Sequence, residues 1–243
     1  DSMNKAQADG ADLLGLADPL GPHMPDTVFI APDAPDPCTG NPMGRQWFPI
    51  PWLDGSSEAA MKTAMEASVA DLNGFLDAVL TTEGIAADRL ILLGFSQGTM
   101  MSLHVAPRRD AAFGAVVGFS GRLMMPELLA AETKVKPPIL LLHGDQDDVV
   151  PFGSLNEAGQ ALTDAGFETY AFVMKGTAHG IGPDGLGAAL SFMTVEDMQY
   201  TSPSLDGIVM ADHMRRLALK SDIDFFQGSG TDNTPLGMVN TSG

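Results

Sequence analysis

The sequence predicts an α/β fold, a mostly parallel sheet with helices on both faces. Two observations predict it. Short runs that are apolar throughout recur between Ala11 and Met193, each followed by a polar or glycine-containing turn. Helical periods fall between them. Strands apolar on both sides are strands covered on both faces, and strands that alternate with helices join in parallel through crossovers.

The elements follow in order. Thr27–Pro32 (TVFIAP) reads as a buried strand. Pro32–Asp54 is rich in Pro, Gly and Trp; too long for a plain connector, it reads as a surface loop able to shape a site. After Gly55-Ser56-Ser57, residues Met61, Met65, Val69, Leu72, Leu76 and Val79 form one helical seam. Glu58 in its first turn suits the positive end of the helix dipole. Strands are expected at Arg89–Phe95, Gly114–Phe119, Pro138–Gly144 and Tyr170–Met174. Helices are expected from Gly98 to Ala106, stopped by Pro107, from Ser154 to Ala165, ended by Gly166, and from Asp184 to Phe192. The texture then changes. Residues 206–220 carry a helical seam, and 228–243 are rich in Gly, Thr and Asn, the composition of a flexible tail. The expected division is a domain of residues 1–193 and an appended segment of 194–243.

Composition narrows the function. Thirteen Lys and Arg stand against 31 Asp and Glu, a net charge of −18. Such a surface repels phosphate backbones, which argues against nucleic acid as a partner. The single cysteine, Cys38, excludes a disulfide framework, and no Cys/His cluster has zinc-ligand spacing, so no metal and no cofactor is expected. Apolar runs such as Ile139–Leu142 fall far short of the ~20 residues of a membrane span. No charged segment followed by an apolar one opens the chain, and the expected location is cytoplasmic. Oligomeric state stays open, a homodimer included.

One motif carries chemistry. Gly94-Phe95-Ser96-Gln97-Gly98 joins a strand to a helix in the G-x-S-x-G pattern of a nucleophile elbow. The sharp turn strains the serine backbone, and small residues two positions either side relieve clashes. The N–H of Gln97 then points where an oxyanion would form. A serine needs a base, and the base an orienting acid, in the order Ser, acid, His. His143-Gly144-Asp145-Gln146-Asp147-Asp148 follows one strand and Gly176-Thr177-Ala178-His179-Gly180 the next. Both lie at strand C-terminal ends, where open α/β sheets build sites. His179, among small residues, is the candidate base. Spacing does not choose among Asp145, Asp147 and Asp148. His143 reads as a packed structural histidine, Ser120 as a strand-end residue, and Cys38 lies away from any elbow.

The ordered segments DTVFIAPDAP, GNPMGRQWFPIPWLDG, RLILLGFSQGTMMSLHVA, GFSGRL, PPILLLHGDQDDVVP and GTAHGIGPDGLGAALSF resemble the carboxylesterase/phospholipase family of α/β-hydrolases, which includes acyl-protein thioesterases. The resemblance runs from about residue 8 to 192. It implies an α/β-hydrolase fold and a serine hydrolase cleaving small-molecule carboxylic esters or thioesters through an acyl-enzyme. Ser96 is then the nucleophile, His179 the general base and Asp147 the acid, with Asp145 and Asp148 structuring the loop. It also implies that Trp47 and Phe48 line an acyl or alcohol pocket.

Two departures from the family pattern temper that expectation. Family members begin with a central strand ending in His-Gly and a loop that gives a second oxyanion N–H. Here those positions read Met3-Asn4-Lys5-Ala6-Gln7, so the fold is expected to lack one N-terminal central strand. Losing an oxyanion donor costs roughly 10²–10³ in turnover. A catalytically weak hydrolase-fold module is therefore the alternative. Residues 194–243 resemble instead a fragment of tailed-phage major capsid proteins.

Overall fold

The computed structural model describes residues 13–38 and 41–200. Four strands form its main sheet: β3 (Ile91–Phe95), β4 (Ala115–Phe119), β5 (Ile139–Gly144) and β6 (Thr169–Met174), side by side in that order and all parallel. The register sets Phe95 beside Phe119 and His143 beside Val173. All residues of β4 and β5 are buried, as central parallel strands require. Ahead of the sheet, β1 (Asp36–Cys38) and β2 (Asn41–Gln46) pair antiparallel within the long loop.

Alternate strand residues face two separate cores. Val116, Ile139, Leu141 and Ala171 join one cluster with Met61, Met65, Leu72, Leu76, Leu103, Leu155 and Leu162. These come from α1 (Glu58–Glu83), α2 (Gln97–Val105) and α3 (Gly153–Asp164). Val117, Phe119, Leu140, Leu142 and Met174 join the other, with Leu20, Met24, Ala189 and Met193. Here the cover is α4 (Pro183–Tyr200) and the N-terminal stretch around Leu20. The sheet is thus covered on both faces.

The helices expected before residue 193 and four of the five predicted strands form within a few residues of their expected bounds, except that α4 runs on to Tyr200, across the boundary drawn after residue 193. The α1 seam is as read, with one addition: Ser68 is buried among it.

The first predicted strand is a correction. Thr27–Pro32 forms no strand, and Val28 and Ile30 are 66% and 45% exposed, while Phe29 packs against the second core. A strand needs a neighbour to bond, and no described residue pairs with this run. Among the described residues β3 likewise has a neighbour on one side only. The expectations for residues 3–7, for the helix at 206–220 and for the tail lie outside the described residues.

Candidate active site

Ser96 sits between β3 and α2 with φ +52° and ψ −114°, a conformation L residues rarely adopt. Its N–H donates to the Phe119 carbonyl at 2.9 Å, and its own carbonyl accepts from Met100 N–H at 3.1 Å. The strand therefore turns into the helix through Ser96 alone. Gly94 permits it: a Cβ there would lie 2.4 Å from Gly98 C and Thr99 N. Gly98, the other small position, meets nothing within 4 Å, so in this elbow the steric demand falls on Gly94. The N–H of Gln97 belongs to the first turn of α2, whose N–H groups have no intrahelical acceptor.

The other two side chains come from adjacent loops. Gly144, ending β5, is the close-approach point: a Cβ would lie 2.1 Å from the Thr177 carbonyl oxygen. Asp145 accepts from Gly176 N–H at 2.7 Å, and Gln146 N–H donates to Thr177 O at 3.1 Å. These contacts tie the Asp147 loop to the His179 loop.

Asp147 is satisfied on both oxygens. Oδ1 accepts from the Val149 and Val150 N–H groups at 3.0 and 2.9 Å. Oδ2 accepts from His179 Nδ1 at 2.8 Å and lies 3.2 Å from His143 Nε2. Burial by itself would raise this carboxyl; the hydrogen bonds from His143, His179 and Val150 outweigh it and hold the group well below the usual carboxylate range.

The bond to Asp147 fixes the His179 tautomer. With Nδ1 donating, a neutral ring leaves Nε2 bare. Nε2 is buried and has no hydrogen-bond partner. The ring rests on Phe95, centroids 4.8 Å apart, one residue from Ser96. The imidazole thus packs on the residue before the elbow serine, and no hydrogen bond joins Nε2 to the serine. Serine Oγ to imidazole bonds often tighten only when substrate is bound.

His143 is the residue the sequence reading undervalued. It is 1% exposed, and its Nε2 also faces the Val150 carbonyl at 3.0 Å. Both neighbours are acceptors, so Nε2 carries the hydrogen and donates to them. Two imidazoles therefore serve one carboxylate. The i, i+4 spacing of His143 and Asp147 across a turn was the available signal.

A second arrangement was also missed. The Gln97 side chain clamps the 47–48 segment to the elbow: its Oε1 accepts from Trp47 N–H at 2.9 Å and its Nε2 donates to the Phe48 carbonyl at 2.6 Å. Ser68 of α1 donates to the Trp47 carbonyl. Phe48, expected to line a pocket, is instead wholly buried in the first core. At 0% exposure its side chain leaves no surface for a ligand. Trp47 is partly buried against the same core.

The remaining candidates fall elsewhere. Ser120 follows β4 at φ +48° and is fully buried, its hydroxyl without a partner. Cys38 is buried in β1, and burial pushes its thiol up, away from the thiolate. Among the described residues no group of three or more His, Cys, Asp or Glu could hold a metal ion. No described helix is long and apolar enough to cross a membrane.

Comparison with known proteins shows the family. The family model described as Phospholipase/Carboxylesterase matches residues 9–196. The chain is 32% identical over 184 residues to acyl-protein thioesterase 1 of Saccharomyces cerevisiae, covering 69% of this chain and 77% of that one. It is 27% identical over 188 residues to esterase YpfH of Escherichia coli, covering 76% and 74%. The crystal structure of esterase PE8 superposes with a TM-score of 0.73 at 39% identity, covering 77% and 86%. These relatives do not bear out the capsid resemblance of residues 194–243. From residue 9 to 196 the chain belongs to the phospholipase/carboxylesterase family, with the α/β-hydrolase fold, and is a carboxylesterase-like hydrolase.

Proposed function

We propose that the protein cleaves small-molecule carboxylic esters and thioesters by acyl transfer through Ser96. His179 Nε2 takes the Ser96 hydroxyl proton as Oγ bonds to the acyl carbon. The carbonyl electrons move to oxygen, and the Gln97 N–H meets the oxyanion. His179 returns the proton to the departing alcohol or thiol as its bond to the acyl carbon breaks. Water then attacks the acyl-enzyme by the same route, freeing the acid and restoring the Ser96 hydroxyl. Asp147 holds the imidazole in the tautomer that presents Nε2 and stabilises the imidazolium. None of these steps calls on a metal or cofactor.

One observation carries this reading: a buried, unpartnered His179 Nε2, fixed by a 2.8 Å bond from Nδ1 to Asp147, on a ring packed against Phe95 of a strained serine elbow. A fluorophosphonate probe is expected to label Ser96, and Ser96→Ala to lower hydrolysis of 4-nitrophenyl butyrate at least about 10⁴-fold. Hydrolysis undiminished in Ser96→Ala would overturn the assignment.

A weakly active module of the same fold is the second reading, favoured by the exposure of Val28 and Ile30 in a run that forms no strand. A turnover near background with a normal unfolding transition would select it. The charge of −18 supports the exclusion of nucleic acid, and a lone unpaired Cys38 accords with a cytoplasmic location, as monomer or homodimer. The division into a hydrolase domain of 1–193 and an appended segment of 194–243 belongs to the same proposal.

A further inference from the structure

Two segments flank the elbow. The first is 47–54, clamped at Trp47 and Phe48 by the Gln97 amide and continuing into the four-residue helix Pro51–Asp54. The second is the turn after β4, where a Cβ on Gly121 would lie 3.1 Å from the Ser96 carbonyl oxygen. Their next side chains meet: the Arg122 guanidinium carbon lies 5.2 Å from the centre of the Trp52 ring. These contacts close a ring through Ser96, Gln97, Phe48, Trp52, Arg122 and Gly121. Trp52 is 38% exposed and its neighbour Leu53 50% exposed, so the ring opens to solvent on this side.

Some of the chain's cations have acidic partners. Arg108 pairs with Glu132, Lys134 with Asp110, and Arg109, also stacked on a ring, with Asp77. Among the described residues no carboxylate or other acceptor meets the Arg122 guanidinium, although acids outnumber bases 31 to 13. The cation–π contact holds the guanidinium against the indole and leaves its N–H fork free of any described acceptor. That fork fits a carboxylate or phosphate oxyanion through two parallel bonds. The overall charge repels anions at long range, so this cation selects among bound substrates rather than speeding their approach.

We infer that Arg122, held on Trp52, is a subsite for an anionic substituent of the ester substrate. The inference rests on the esterase reading and adds to it a substrate class, esters carrying an oxyanion away from the scissile bond. The anion sits on either the acyl or the alcohol side, and both are tested. Mono(4-nitrophenyl) glutarate is compared with 4-nitrophenyl pentanoate for the acyl side. For the alcohol side, 4-acetoxybenzoate is compared with 4-acetoxybenzamide. For one pair, the anionic ester is expected to show the higher kcat/KM through a lower KM. Arg122→Gln is expected to lower that anionic-to-neutral ratio about 10-fold, and Arg122→Lys to recover part of it. A ratio unmoved by Arg122→Gln in both pairs, with Ser96-dependent hydrolysis intact, would overturn the subsite alone.

Calorimetric titration with glutarate and with phenylphosphonate separates the two readings. Binding of either that is lost in Arg122→Gln supports the subsite even if no ester is turned over, an outcome that would remove the esterase reading instead. Equal binding or none by both proteins, with no change in the ester ratios, rejects the subsite.

Discussion

Asp147 Oδ2 faces donors from His179 and from His143, and only His179 is proposed as the base for Ser96. Replacing His143 with leucine removes one donor and leaves a buried carboxylate freer to rotate away from His179. Replacing it with glutamine keeps an amide donor in about the same place. His143→Leu is expected to lower kcat about 10-fold with KM within twofold, and His143→Gln to recover most of the loss. Equal rates for the two variants, at equal melting temperatures, would show that His143 only fills space. Gly94 gives a second prediction at this scale. A methyl group there would stand 2.6 Å or less from three backbone atoms of residues 98 and 99, none of which can rotate aside. Gly94→Ala is expected to cost more than about 3 kcal/mol, read as loss of soluble protein or a collapsed denaturant midpoint.

At the scale of elements, α1 is set by its ends. Ser57 Oγ accepts the Ala60 N–H at 3.1 Å, and Gly84 closes the helix at φ +65°. Ser57→Ala is expected to cost about 1 kcal/mol and lower the melting temperature by about 2–4 °C. The apolar seam and the strands β3 to β6 were legible because each rests on a short-range rule that the whole fold obeys. Thr27–Pro32 was not. Its composition promises a pleated surface, but a ladder needs a second chain segment, and no local pattern reports whether one is there. The site divides the same way. The elbow, the acidic turn after β5 and His179 after β6 follow from motif and order, while the choice of Asp147 among three aspartates came from the family resemblance. The sharing of Asp147 by His143, the Gln97 clamp and the burial of Phe48 are tertiary contacts, set by how loops cross the sheet rim.

The whole molecule joins an acidic surface to buried histidines, and the two respond to pH differently. His104, on α2 beside Arg108 and Glu132, is 9% exposed, and its Nδ1 has no partner. Burial, with the Arg108 charge adding to it, lowers its pKa from 6.5 to about 4. Between those values the unfolded chain binds a proton that the folded one refuses. Acid therefore favours unfolding: the His104 contribution is whole above pH 6.5 and is lost as pH falls toward 4. At full extent the loss is about 3 kcal/mol, with a slope near 1.4 kcal/mol per pH unit. Asp147 acts in a lower window. Its folded-state pKa lies below the ordinary 3.8, so its stabilisation is present above that value and lost only at more acid pH. Urea unfolding is followed between pH 7.5 and 5, above the isoelectric point of about 4.3, and comparison with His104→Leu isolates this ring. Stability is expected to fall across this range in the parent and to fall less in His104→Leu, which cannot take up the proton. An equal slope in both proteins would mean that the His104 ring protonates freely in the folded state and that the acid sensitivity lies elsewhere.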